Sequence, residues 1–247
     1  MPVVLPGIKA CVFDAYGTLL DVHSAVTCNA AAVGETSGPL AVLWRQRQLE
    51  YTWTRSLMKR YTDFWAITEE ALDYALETFS LQEKPGLKQA LLKSYLELRA
   101  FPDVAPALQE IKTLGFGTAV LSNGTLHMLL QAVQASDLFR HIDLCLSVDE
   151  LKVYKPDPSV YQYASGRLGL SPAQICFVSS NAWDLAGAES FGFRVVRLNR
   201  NHQPQEYKFA PAHNEIHSLT ELPTLLRKTP PPLPSAESLG TMPRKSE

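Results

Sequence analysis

The chain has 247 residues, enough for one large domain or for a core carrying a smaller insert, since about 150 residues per domain is only a soft guide. Hydrophobic residues make up 46% and charged residues 19%, a globular balance, and a net charge of −2 excludes a nucleic-acid binder that works through bulk positive charge. No run approaches the roughly 18 apolar residues of a membrane span, and the N-terminus MPVVLPGIKA lacks the regions of a secretory signal. Four cysteines occur without C-x-x-C spacing, and Cys11, Cys145 and Cys176 sit in apolar runs where a reduced, buried thiol is expected. The chain therefore reads as soluble and cytoplasmic.

In chain order, IKACVFDA (8–15) is the first short apolar run with the look of a buried strand. Residues 20–100 then show helical periodicity almost throughout, with TEEA (68–71) expected to start a helix behind a threonine cap. From 103 onward, helix and strand alternate. Helices are expected near 103–114, 125–136, 158–168 and 183–191, with strands at GTAVLS (117–122), DLCLSV (143–148), AQICFVSS (173–180) and FRVVRLN (193–199). Such alternation predicts an α/β fold, a Rossmann-like parallel-sheet core (1–19 and 101–228) interrupted by a helical cap (20–100). An insert leaving from the end of strand one would overhang the carboxyl edge of the sheet, where open α/β sheets bind ligands. The segment 229–247, rich in proline, serine and charge, is expected to be disordered.

Four polar clusters fall at the carboxyl ends of these strands. Asp14 is followed by a Gly17-Thr18 turn; Ser122 and Asn123 precede free amides at a helix start; Lys155 stands before a proline; Ser179, Ser180, Asn181 and Asp184 close the set. Each alone has an ordinary explanation, as turn chemistry or a solvated lysine. Together they offer a carboxylate nucleophile or metal ligand, anion-binding amides, a cation and a second acid on one edge. The six histidines form no H-E-x-x-H pair, no G-x-S-x-G is present, and GFG (115–117) starts a strand instead of following one.

In this order, DAYGT, LSNG, Lys155-Pro156 and SSNAWD resemble the four motifs of the haloacid dehalogenase superfamily over about residues 8–228, and LWRQRQLEYTW (43–53) makes the chain similar to the L-2-haloacid dehalogenases. Most of the superfamily are phosphatases, with a second aspartate two places after the nucleophile and acidic Mg²⁺ ligands in the fourth motif. Tyr16 and Ser179-Ser180-Asn181 stand at those places here, so a hard oxygen site is poor. The resemblance implies a hydrolase that needs no metal or other cofactor and acts on small 2-haloalkanoic acids. It also implies a homodimer, while the charge and the lack of a long apolar run leave no nucleic-acid or membrane partner expected. Asp14 would form an ester with the substrate, held by Lys155. Asp184, Ser179 and Asn181 would place the water, Thr18 and Ser122 would bind carboxylate or oxyanion, Asn123 and Arg45 would receive halide, and Tyr161 would support the network. Ala15, Tyr16, Gln46, Leu49, Phe64 and Trp183 would line the substrate pocket. On a helix, Arg45, Leu49, Trp53, Ser56 and Arg60 share one face, and residues 41–60 hold five basic side chains (Arg45, Arg47, Arg55, Lys59, Arg60) against Glu50. A phosphatase of small phosphate esters and a non-catalytic binding protein are the alternatives.

Overall fold

The computed structural model describes residues 5–209 and 214–227; the expected disordered tail lies outside them. Strands β1 (Ala10–Phe13), β2 (Gly117–Ser122), β3 (Leu144–Ser147), β4 (Ile175–Ser179), β5 (Arg194–Leu198) and β6 (Asn214–Ile216) form one parallel sheet in the order β3-β2-β1-β4-β5-β6. The first five lie within the apolar runs read from sequence. The sixth, Asn-Glu-Ile with the glutamate exposed, is too short for its pattern to register. Every residue of the central strands β1 and β4 is buried, as expected where helices cover both faces. Cys11 and Cys176 face each other in register across these strands and are buried. Cys145, expected to be buried, is only partly so, because β3 lies at the edge of the sheet.

Between β1 and β2 come α1 (Ser24–Thr27), α2 (Ala30–Val33), α3 (Ser37–Met58), α4 (Phe64–Thr78) and α5 (Leu87–Leu96), then α6 (Val104–Thr113). Helices α7 (Leu126–Ala135), α8 (Pro158–Leu168), α9 (Ala182–Phe191) and α10 (Leu222–Arg227) follow among the later strands. The chain enters and leaves the α1–α5 segment through adjoining passes. Leu20 bridges Ala100, the Asp21 N–H donates to the Arg99 carbonyl at 2.8 Å, and the Phe101 N–H donates to the Leu19 carbonyl at 3.0 Å.

Two expectations for this segment are corrected. Helix α4 starts at Phe64 and not at TEEA, because Asp63 supplies the stronger cap, its carboxylate accepting from the Ala66 N–H at 2.9 Å. Thr68 is therefore inside the helix and buried. Helix α3 stops at Met58, where Lys59 takes a left-handed conformation (φ 56°), so Arg60 is off the face it was expected to share with Arg45. No helix among the described residues is long and apolar enough to cross a membrane.

From β1 the strand order runs one way to β2 and β3 and the other way to β4, β5 and β6. The crevice at the carboxyl ends of β1 and β4 is the place where such a sheet binds its ligand.

Candidate active site

Asp14 follows β1 directly and Ser179 ends β4, so the topology sets both at that crevice. Gly17 turns the chain with φ 89°, a conformation that side chains with a Cβ rarely adopt. The turn returns Thr18, whose hydroxyl donates to Asp14 Oδ2 at 2.9 Å and accepts from the Ser180 N–H at 2.9 Å. Asn181 Nδ2 donates to the same Oδ2 at 2.8 Å. Ser179 Oγ lies 3.5 Å from it and accepts from the Asn181 N–H at 3.0 Å. The other carboxylate oxygen, Oδ1, accepts from Lys155 Nζ at 3.1 Å. Lys155 also donates to Asp184 Oδ2 at 2.7 Å, and Tyr161 Oη donates to Asp184 Oδ1 at 2.8 Å. Asn123 Oδ1 accepts from the Lys155 backbone N–H at 3.0 Å and so ties the tip of β2 to the lysine segment.

This cluster is almost dry: Asp14, Lys155 and Asp184 are 5%, 1% and 0% exposed. Two carboxylates and one ammonium in such a place would be costly if any member were unpaired, and none is. Burial alone would lower the Lys155 pKa, but Asp14 and Asp184 outweigh it and hold the ammonium above the ordinary lysine value. Burial pushes Asp184 up to about 6, Lys155 opposing and the Asp14 charge assisting. Burial, then Asp184, raises Tyr161 well above a free phenol, so it acts as a hydrogen-bond donor.

The other residues singled out from sequence fall around this core to different degrees. Ser122 is buried, and its Oγ accepts from the Gly124 N–H at 3.1 Å; Ala15 is buried in the turn that follows Asp14. Arg45 reaches down from α3, its Nη2 donating to the Tyr16 carbonyl at 3.2 Å. Tyr16 packs against Phe64 with ring centroids 5.7 Å apart, and its buried hydroxyl has no hydrogen-bond partner among the described residues. Gly124 makes room for that ring, since a Cβ there would lie 2.8 Å from Tyr16 ring and hydroxyl atoms. Leu49 is half-buried on α3. Trp183 packs edge-on against Trp53 at 5.4 Å, and both line an apolar cavity of about 550 Å³ with Pro156 and Phe191. Gln46 is not brought to the cluster: it is exposed and donates to Glu50 at 2.8 Å. Sequence reasoning missed three buried polar residues behind Arg45, namely Gln48, Thr68 and Tyr95. The i, i+3 spacing of Arg45 and Gln48 was the available signal, but nothing in that pattern distinguishes a buried glutamine from a solvated one.

The surroundings of Asp14 Oδ2 are hydrogen-bond donors, where a cation would need further oxygen ligands. Among the described residues, no three His, Cys, Asp or Glu gather as a potential metal set.

Residues 8–192 match the model of the haloacid dehalogenase-like hydrolases. The chain is 56% identical over 225 residues to (S)-2-haloacid dehalogenase 4A of Burkholderia cepacia, covering 91% of this chain and 97% of that protein. It is 57% identical over 219 residues to (S)-2-haloacid dehalogenase 1 of Pseudomonas sp. (strain CBS-3), covering 89% and 96%. Its fold superposes with a TM-score of 0.82 on L-2-haloacid dehalogenase from Xanthobacter autotrophicus with chloropropionic acid covalently bound, at 37% identity over 89% of this chain and 98% of that one. With an Asp-Lys-Asp cluster at the switch point of a parallel sheet and these relatives over nearly its whole described length, the chain belongs to the haloacid dehalogenase-like hydrolases and, within them, to the (S)-2-haloacid dehalogenases.

Proposed function

We propose that this enzyme hydrolyses (S)-2-haloalkanoic acids to (R)-2-hydroxyacids and halide through an ester on Asp14. The observation that carries the reading is the uneven dressing of the Asp14 carboxylate. Among the described residues, Oδ2 faces Thr18, Asn181 and Ser179, whereas Oδ1 faces Lys155 alone. Oδ1 keeps a lone pair for C2 of the substrate. As the C2–Oδ1 bond forms, the carbon–halogen bond breaks, the halide leaves with its electron pair and C2 inverts. Oδ2 then remains as the ester carbonyl oxygen, already facing the donors that an oxyanion needs when water attacks the Asp14 carboxyl carbon.

Asp184 takes a proton from that water. Collapse of the tetrahedral species breaks the bond to Oδ1, the leaving alkoxide regains a proton through Lys155, and the second proton of water is released as the carboxylate re-forms. Lys155 Nζ lies between Asp184 and Oδ1, which suits this relay. Ser122, whose oxygen accepts from Gly124, has a proton to offer the substrate carboxylate. Asn123 and Arg45 receive the halide, and Ala15, Tyr16, Leu49, Phe64 and Trp183 surround C2 and its substituent. Helices α1–α5 act as the cap that keeps bulk water from the displacement. The cytoplasm as location rests on the cysteine usage read from the sequence, and a homodimer as assembly rests on the family resemblance; sedimentation tests the latter.

Chloride release from (S)-2-chloropropionate, unchanged by EDTA and yielding only (R)-lactate, is the expected result. Mg²⁺-dependent phosphate release with no halide would instead establish the phosphatase reading, which Tyr16 and Asn181 oppose. Because Asp184 sits near 6 and must be ionised to accept the water proton, kcat should fall as pH drops through about 6. A pH profile of the parent against Asp184→Asn checks this, since the variant should lose most of its rate together with that limb.

A further inference from the structure

The guanidinium of Arg45 has only neutral partners among the described residues: Nη1 donates to Gln48 Oε1 at 2.8 Å, and Nη2 donates to the Tyr16 carbonyl at 3.2 Å. Gln48 is 1% exposed and stands in a closed polar network inside the apolar packing of α3, α4 and α5. Its Oε1 accepts a second bond, from Tyr95 Oη at 3.1 Å, and its Nε2 donates to Thr68 Oγ1 at 2.6 Å. The Thr68 hydroxyl proton is committed to the Phe64 carbonyl, 2.6 Å away, so Thr68 can only accept from Gln48. That sense of donation fixes which end of the Gln48 amide is oxygen, and the oxygen end faces Arg45. The Trp44 indole N–H, donating to the Thr68 carbonyl at 2.9 Å, pins the same turn of α4. Tyr95 in turn stacks on Tyr16 with centroids 5.6 Å apart, so the network backs the nucleophile turn from both the arginine and the aromatic side.

Arg45 is half-buried, and an arginine partly shielded from water is ordinarily neutralised by a carboxylate, because an uncompensated charge there is costly. Here the position that could carry one carries the isosteric amide. We propose that Gln48 is a positioning residue that orients Arg45 toward the site while leaving its positive charge for an anion, the halide leaving group or the substrate carboxylate. The proposal rests on the dehalogenase reading above. It assigns Gln48 two separable duties, geometry through its oxygen and electrostatics through its lack of charge.

Two variants separate them. Gln48→Glu keeps an oxygen facing Arg45 but pairs its charge; bromide, titrated calorimetrically into the resting enzyme, should bind about tenfold more weakly, with KM for (S)-2-chloropropionate raised similarly. Gln48→Met keeps the charge but removes the oxygen; kcat should fall about tenfold with a smaller change in bromide affinity, because Arg45 is no longer held. Circular dichroism verifies that each variant is folded, and the Met variant, which buries no new charge, carries the test if the Glu variant does not fold. Bromide affinity and KM both within about twofold of the parent in Gln48→Glu, or unaltered kcat in Gln48→Met, would overturn the proposal. A parent enzyme that releases no halide from any 2-haloacid would overturn the dehalogenase reading instead, and the two failures are distinct.

Discussion

Asp14→Asn is expected to lower chloride release from (S)-2-chloropropionate by about 10⁴-fold or more, the scale on which losing a covalent nucleophile removes catalysis. An amide cannot displace halide as a carboxylate does, and its NH₂ group would meet Thr18 and Asn181 or Lys155, all present as donors to the native carboxylate. The fold should survive. Lys155 keeps its 2.7 Å partner in Asp184, so no buried charge is left unpaired, and the expected stability cost is the roughly 1–3 kcal/mol of a mispaired buried polar group. Thermal unfolding alongside a single-time-point halide assay reads both quantities. An Asp14→Asn enzyme retaining a tenth or more of the parent rate would require another nucleophile.

Lys155→Met should damage stability and activity together. Lys155 pairs with both Asp14 and Asp184, and its removal leaves the two carboxylates facing each other in a dry pocket. Breaking a buried pair by deleting one partner costs about 3–5 kcal/mol, and here two carboxylates lose their partner at once. The sign with pH follows. Burial already raises Asp184 above its unfolded value and Lys155 opposes that rise, so without the ammonium the variant binds more protons folded than unfolded and its deficit shrinks on acidification. Chemical denaturation should therefore show the largest deficit at neutral pH and a smaller one near pH about 5. Activity should fall at every pH, because Oδ1 loses its orienting donor and the proposed proton relay loses its middle member. A deficit that grew on acidification would contradict the charge arrangement.

The chain's periodicity was enough for five of the six strands, because buried parallel strands are short apolar runs and this chain punctuates them with clear turns. Element ends were less legible. TEEA looks like a helix start in isolation, and only the competing cap at Asp63 shows that Thr68 belongs to the second turn. The site was legible as a list of strand tips but not as a geometry: Asp14 and Lys155 are 141 positions apart, and only the strand order brings them within 3.1 Å. The motif resemblance supplied that pairing in advance. Gln48, Thr68 and Tyr95 had no such help, because each is polar on an amphipathic helix and would be read as solvated. Their burial comes from the packing of α3 against α4 and α5, which no local window contains. Gln46, two places before Gln48, shows the converse: a residue carried over from the family pattern that here faces solvent.

Isotope placement tests the ester most directly. With enzyme in excess over (S)-2-chloropropionate in oxygen-18 water, a single turnover should put the label into the carboxylate of Asp14, found by mass spectrometry of the peptide containing VFDAYGTLLD, while the first (R)-lactate formed carries oxygen from the protein. Label appearing at once in the lactate hydroxyl, with Asp14 unlabelled, would mean that water attacks C2 directly and would contradict the ester on Asp14.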